Sequence, residues 1–340
     1  MFLRFDVGHP KQARQAATII RSLGLERTDF VVSARGALNA SEVAEALGLE
    51  PLVIGGYSGD LYRKLVDDLL RAKRLADIAQ AFPKDTVLIS FGMPSGIRVA
   101  FGLKIPIIHM NDTPHNEPVR RLTAPLSDYI ITPMPEVKNR LDTPPKRAII
   151  GFYGVPEMSY VEIAEELMPG RPLEEAKKLI KEISPFIVFR YAERKSSYAK
   201  GSLAEFRETF ETVYSFAREN GLNVLLYSRY PEEIVNKDGV YTLDRLVNMP
   251  YLIRHARFVV SAGGTLAKEA SLQGVPAIVT HYRLDSTKRL VKEGFPIIDG
   301  RRNLIEALEK ALEKSESSEK PSLQKYDKLP DVVEKCLSLL

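Results

Sequence analysis

The sequence predicts an α/β protein, two Rossmann-like, doubly wound parallel-sheet domains facing a central cleft. Three observations carry this reading. Short apolar runs of strand length alternate with segments of helical period, the pattern of βαβ units whose parallel sheet is covered on both faces. The alternation lapses over residues 152–184, which are rich in Glu, Lys and Pro, and then restarts. At 340 residues the chain also exceeds one typical core, so two domains are the default.

Residues 3–7 are the first predicted strand and run into Gly8, His9 and Pro10, with an amphipathic helix over 11–23. Strands are expected at 29–33, 51–54, 86–89, 105–110, 129–132 and 148–151, with helices over 38–47 and 61–82 and after Gly96. This completes a domain over 1–151, and 152–184 reads as a joining segment. The second domain, 185–328, has predicted strands at 186–189, 224–227, 258–260, 276–279 and 296–298. Its helices are expected over 203–219, over 265–273, over 303–314 and across most of 244–255. Residues 315–321 read as a charged surface loop, and 329–340 as an end helix with enough apolar residues to dock.

Composition narrows the function. Hydrophobic residues at 44% and charged residues at 27% are those of a globular protein, and a net charge of +4 is too small for a dedicated nucleic-acid binder. No apolar run approaches the roughly 20 residues that span a bilayer, and Asp6 interrupts what would be the core of a secretory signal. One cysteine, Cys336, fits a reducing compartment, so a cytoplasmic protein is expected. A peripheral position at the membrane and a homodimer both remain open. Five histidines without zinc-type spacing, no Asp-x-Asp, no Walker loop and no Gly-x-Gly-x-x-Gly after the first strand argue against metal, ATP and NAD chemistry. No cofactor is expected.

One stretch stands out. Ser261, Ala262, Gly263, Gly264 and Thr265 join an apolar strand to a helical period. Glycines let a ligand approach the backbone, Thr265 suits an N-cap, and a helix N-terminus favours a phosphate. Glu269 follows one turn on, within reach of a ribose. The alternative for the glycines is an ordinary tight turn.

The chain resembles a family of predicted glycosyltransferases, a domain of unknown function related to UDP-N-acetylglucosamine 2-epimerase. The resemblance spans about residues 1–315. It is carried by Phe5 to Pro10, by Ser95 to Pro106 leading into His109, Asn111 and Asp112, and by Leu126 to Pro133. The Arg190 segment and Gly263 to Ala270 with Gly274 and Pro276 add to it. It implies the GT-B architecture, with a nucleotide sugar as substrate and its diphosphate on Gly263, Gly264 and Thr265. Glu269 would meet the ribose, and Arg190 and Arg229 the diphosphate, where a guanidinium can pair bidentately. Both arginines end strands, and a surface ion pair explains either equally well.

The chain departs from the epimerase pattern at three places. The histidine-to-arginine motif becomes His109, Met110, Asn111, Asp112, Thr113, Pro114 and His115, moving the acid by one position. An expected acid is missing from Phe91 to Pro94, and Arg190 lacks the preceding histidine. His9 ends the first strand, and with an ordinary pKa near about 6.5 it could take an acceptor proton. Asp6 could orient it or act as the base. Asp112 and His115 could be acid–base groups or ligands of sugar hydroxyls, although turn chemistry also explains Asp112.

Three readings follow. The first is a metal-independent glycosyltransferase using a nucleotide sugar, UDP-linked, with a sugar or lipid-linked acceptor. The second is a 2-epimerase or hydrolysing variant, with Asp112 and Glu193 replacing the altered acids. The third is a non-catalytic nucleotide-sugar binder.

Overall fold

Leu3, Phe5 and Val7 alternate with Arg4 and Asp6 along β1 (Phe2–Val7), and all five are buried, so this strand is covered on both faces. The computed structural model describes every residue except 37–38, 57–59, 114–115, 134–144, 192–201, 229, 282–284 and 318. Its contacts divide the chain into two compact units, Met1–Tyr160 with Gln324–Leu340, and Val161–Leu323.

In the first unit β1 is followed by β2 (Phe30–Ala34), β3 (Leu52–Val53), β4 (Thr86–Ser90), β5 (Ile107–Met110), β6 (Tyr129–Pro133) and β7 (Ala148–Phe152). They form one sheet in the order β3-β2-β1-β4-β5-β6-β7, every pairing parallel. The connecting helices are α1 (Pro10–Ser22), α2 (Ala40–Ala46), α3 (Leu61–Ala79), α4 (Pro94–Gly102) and α5 (Glu117–Thr123). Strand order reverses between β1 and β4. A crevice for a ligand therefore opens outside the carboxyl ends of those two strands.

The second unit begins with α6 (Ala164–Leu167) and α7 (Arg171–Ile183), inside what the composition marks as a joining segment. Leu173, Ala176, Leu179 and Ile183 of α7 are buried at helical spacing between charged residues, which is why its composition hides it. Its sheet is β8 (Phe186–Arg190), β9 (Asn223–Leu226), β10 (Val240–Thr242), β11 (Val259–Ser261), β12 (Ala277–Val279) and β13 (Ile297–Asp299). The order β10-β9-β8-β11-β12-β13 is again parallel and again reverses, here between β8 and β11.

Phe189, Phe206, Phe210 and Phe258 centre its core, and α8 (Leu203–Glu219) supplies two of them. The helix expected over most of 244–255 is only α9 (Met249–Ile253). Buried Asn248 caps it by accepting from the Tyr251 N–H at 3.3 Å and donates to the carbonyls of Ala164 and Met168 at 2.6 and 2.9 Å. The remaining helices are α10 (Thr265–Ser271), α11 (Asp285–Lys292) and α12 (Leu304–Ser317), the last reaching into the expected loop.

The end helix, α13 (Leu329–Leu337), belongs to the first unit and packs on α1. Leu329 N–H donates to Ser159 Oγ at 2.9 Å, and Tyr129 and Arg147 donate to the Leu339 carbonyl at 3.2 and 3.0 Å. Among the described residues no helix is long and apolar enough to cross a membrane.

Candidate functional site

Of the expected residues, Arg190 and the glycine turn stand at the ends of β8 and β11, which flank the reversal of their sheet, whereas in the other unit His9 follows β1 and Asp112 follows β5. In the Val161–Leu323 unit, Ser261 of β11 is in register with Arg190 of β8, so the arginine ends its strand beside the glycine turn. The Arg190 guanidinium lies 4.2 Å from the centre of the Tyr227 ring, a cation–π contact that holds it half-buried. Gly263 has φ 124° and Gly264 φ 75° and ψ −136°, conformations that glycine adopts freely and other residues rarely. Among the described residues no atom lies within 4 Å of a Cβ built on Gly264, so there is room beside this half-buried glycine.

Two expectations change here. The N-cap of α10 is Gly264 and not Thr265, which is the first helical residue. The positive φ needed to turn the chain excludes threonine from the cap. Glu269, expected within reach of a ribose, is 1% exposed, and Lys268 beside it 2%. The apolar residues around them make α10 a buried helix, so the i, i+4 spacing from Thr265 does not bring Glu269 to the surface. Arg229, His115 and Glu193 lie outside the described residues.

Sequence reasoning missed a polar chain beside the turn. His281 Nδ1 is 2.9 Å from Thr280 Oγ1, and its Nε2 is 3.1 Å from the Tyr191 hydroxyl. Thr280 also bonds the Ser261 carbonyl, by its N–H at 2.9 Å and its hydroxyl at 3.3 Å, which ties the chain to the strand that opens the turn. Burial pushes the His281 pKa down, against a smaller upward pull from Glu205, so the ring is neutral near pH 7. The available signal was position alone. His281 follows β12 as Tyr191 follows β8.

In the Met1–Tyr160 unit a pocket forms where α1 meets the ends of β4 to β7. Lys11, Gln12, Asn111 and Asp112 give its polar groups, and Phe91, Met110 and Phe152 its apolar wall. Gln12 is fixed at both ends, accepting from Gly8 N–H and donating to the Phe91 carbonyl, each at 2.7 Å. Lys11 forms an ion pair with Asp112, and the fully buried Glu157 carboxylate is 3.9 Å from the same ammonium. Asn111 Oδ1 accepts from Thr113 N–H at 3.1 Å, so a turn does shape this segment, with Asp112 turned into the pocket.

His9 is exposed at the N-cap of α1, and its side chain does not cap the helix. Asp6 does not orient it. Its oxygens take Arg71 at 2.5 and 3.2 Å and Ser33 at 2.8 Å, all fully buried. Burial alone would raise its pKa, but the Arg71 guanidinium outweighs this and holds the carboxyl below the usual range, unsuited to a base. Asp6 is a structural anchor between β1 and α3.

His109 on β5 is also buried, and its pKa is pushed down to about 4. Among the described residues no group of three His, Cys, Asp or Glu side chains is placed to hold a metal ion.

Comparison with known proteins agrees with this fold. A protein of Methanocaldococcus jannaschii described as uncharacterized is 27% identical over 280 residues, 80% of either chain. The UDP-GlcNAc 2-epimerase of the same organism, solved with UDP-GlcNAc and UDP, matches 100% of both chains with a TM-score of 0.76 at 16% identity. The Neisseria meningitidis UDP-GlcNAc 2-epimerase bound to UDP-GlcNAc matches 100% of this chain and 99% of that one, TM-score 0.74, 16% identity. The spinosyn forosaminyltransferase SpnP matches with a TM-score of 0.59 at 16% identity, covering 100% of this chain and 99% of that one. Identity this low shows a shared fold alone, the GT-B fold of two parallel-sheet units, which serves glycosyltransferases and epimerases alike. The family profile described as "Protein of unknown function (DUF354)" matches residues 4–328, and the chain belongs to that family.

Proposed function

We propose that this protein is a glycosyltransferase that takes a nucleotide sugar, UDP-linked, as donor and acts without a resident metal ion. The observation that carries the reading is the pair of positive-φ glycines that follow β11, in register with the end of β8 where Arg190 stands. As the bond from the anomeric carbon to the diphosphate breaks, negative charge collects on the leaving nucleotide. A fixed guanidinium and the N–H groups of the turn stabilise that charge without reorganising. His281, Tyr191 and Thr280 form a rigid polar wall at the same strand ends.

The pocket of the Met1–Tyr160 unit takes the acceptor in this reading. Asp112 lines the pocket with its carboxylate fixed by Lys11, and His9, exposed at the start of α1 outside that lining, is the group that receives the proton of an attacking hydroxyl.

A second reading, 2-epimerisation, is favoured by the full-length likeness to enzymes solved with UDP-GlcNAc. Incubation with UDP-GlcNAc and a panel of saccharide acceptors separates them. Transfer predicts UDP release that depends on an acceptor. The 2-epimer, or free UDP with the 2-epimer sugar, appearing without acceptor would replace transfer by epimerisation. Tight binding with no turnover would leave a binding protein.

A further inference from the structure

Two carboxamides in the pocket of the Met1–Tyr160 unit carry hydrogen-bonding groups that the protein itself does not use. Gln15 stands on α1 four residues after Lys11 and three after Gln12, so the three share one helix face and line the pocket together. Gln12 is bonded at both ends, but no hydrogen bond reaches the Gln15 amide among the described residues. Gln15 is nevertheless only 3% exposed. Asn111 lines the same pocket and is 7% exposed. Its Oδ1 accepts from Thr113 N–H at 3.1 Å, which identifies that atom as the oxygen and leaves Nδ2 a donor without a partner among the described residues. Burying such groups unanswered costs stability, and a ligand that answers them recovers it.

Size and polarity select the ligand. The pocket measures about 10 Å³, room for a single water-sized group and not for a sugar ring. A hydroxyl fits, because it accepts and donates at once. An ammonium only donates, which leaves Asn111 Nδ2 unanswered, and it meets the charge of Lys11. A carboxylate or phosphate only accepts, exceeds the space and meets Asp112. Lys11 and Asp112 are already matched to each other, so a neutral group suits them best.

We propose that Gln15 and Asn111 determine acceptor specificity by seating one hydroxyl of a saccharide, which accepts from Asn111 Nδ2 and donates to Gln15 Oε1. This rests on the reading of the pocket as the acceptor site. His9 lies outside the lining, so the seated hydroxyl is a second one and not the attacking one. A simple lipid alcohol or lipid phosphate has no second hydroxyl to place there, and the acceptor is a polyol.

Saturation-transfer NMR with the methyl glycosides of glucose, galactose, mannose and N-acetylglucosamine, each titrated with UDP present, tests the assignment. The wild type should bind one of them saturably, and one monodeoxy derivative of it at least about tenfold more weakly. Gln15→Leu should bind the parent as weakly as the wild type binds that derivative, and should show no further loss for the derivative. Its thermal melt should not fall, since no bond within the protein is removed. Asn111→Asp keeps the bond to Thr113 and removes only the donor, so it repeats the test by a second route. No binding of any glycoside, or a parent and its deoxy derivatives held alike by the wild type and both variants, overturns the proposal. Calorimetry of UDP on the wild type reports on the glycine turn alone, so failure of the nucleotide reading is told apart from failure here.

Discussion

A buried histidine gives this protein a measurable response to acid. His109 is fully buried with no hydrogen-bond partner at Nδ1, and burial lowers its pKa from 6.5 to about 4. The unfolded chain therefore binds a proton first. The stability contributed by the neutral ring is present above about pH 6.5 and is lost as pH falls toward about 4, roughly 3 kcal/mol in all. Urea unfolding at intervals from pH 7 to pH 4.5 should show this decline, and His109→Phe should flatten it. An equal slope in the variant would place the acid sensitivity elsewhere. Single residues were the least legible part of the sequence. Asp6 lies in the first strand and His9 just after it, yet strand alternation turns Asp6 into the interior beneath Arg71, a contact 65 residues away that no local pattern reports. Lys11, Glu157 and His281 became site residues by the same long-range closure.

At the scale of elements, local chemistry and packing pull differently. α8 starts with a capping box in which Ser202 Oγ accepts from Glu205 N–H at 3.1 Å and Glu205 accepts from Ser202 N–H at 2.7 Å. Ser202→Ala should cost about 1 kcal/mol in chemical denaturation, because one N–H loses its acceptor at an exposed helix start. A loss below a few tenths would mean that Phe206 and Phe210 hold the helix unaided. Strands and long helices were readable because their apolar periods survive in one dimension. α7 was not, since its four buried positions are diluted by charge, and β10 was not, since it is three half-buried residues at a sheet edge. The cap of α10 was misassigned for a backbone reason. A positive φ at Gly264 takes the place that a threonine side chain would otherwise fill.

For the molecule as a whole, the alternation of strands and helices gave two doubly wound sheets, and strand order placed the expected clusters at their carboxyl ends. What the alternation could not give is which unit the final helix joins, because docking of α13 rests on bonds to Ser159, Tyr129 and Arg147, far off in sequence. The account's central claim is that a nucleotide diphosphate sits on the glycine turn beside Arg190. Titration of UDP into the wild type and into Gly264→Val, followed by calorimetry, tests it most directly. A Cβ there meets no atom of the described residues within 4 Å, and the positive φ strains valine by about 1–3 kcal/mol, so a thermal melt of the variant shows first that it remains folded. The account predicts saturable binding by the wild type and at least a tenfold loss in the variant, whereas equal affinity in the two proteins would contradict it.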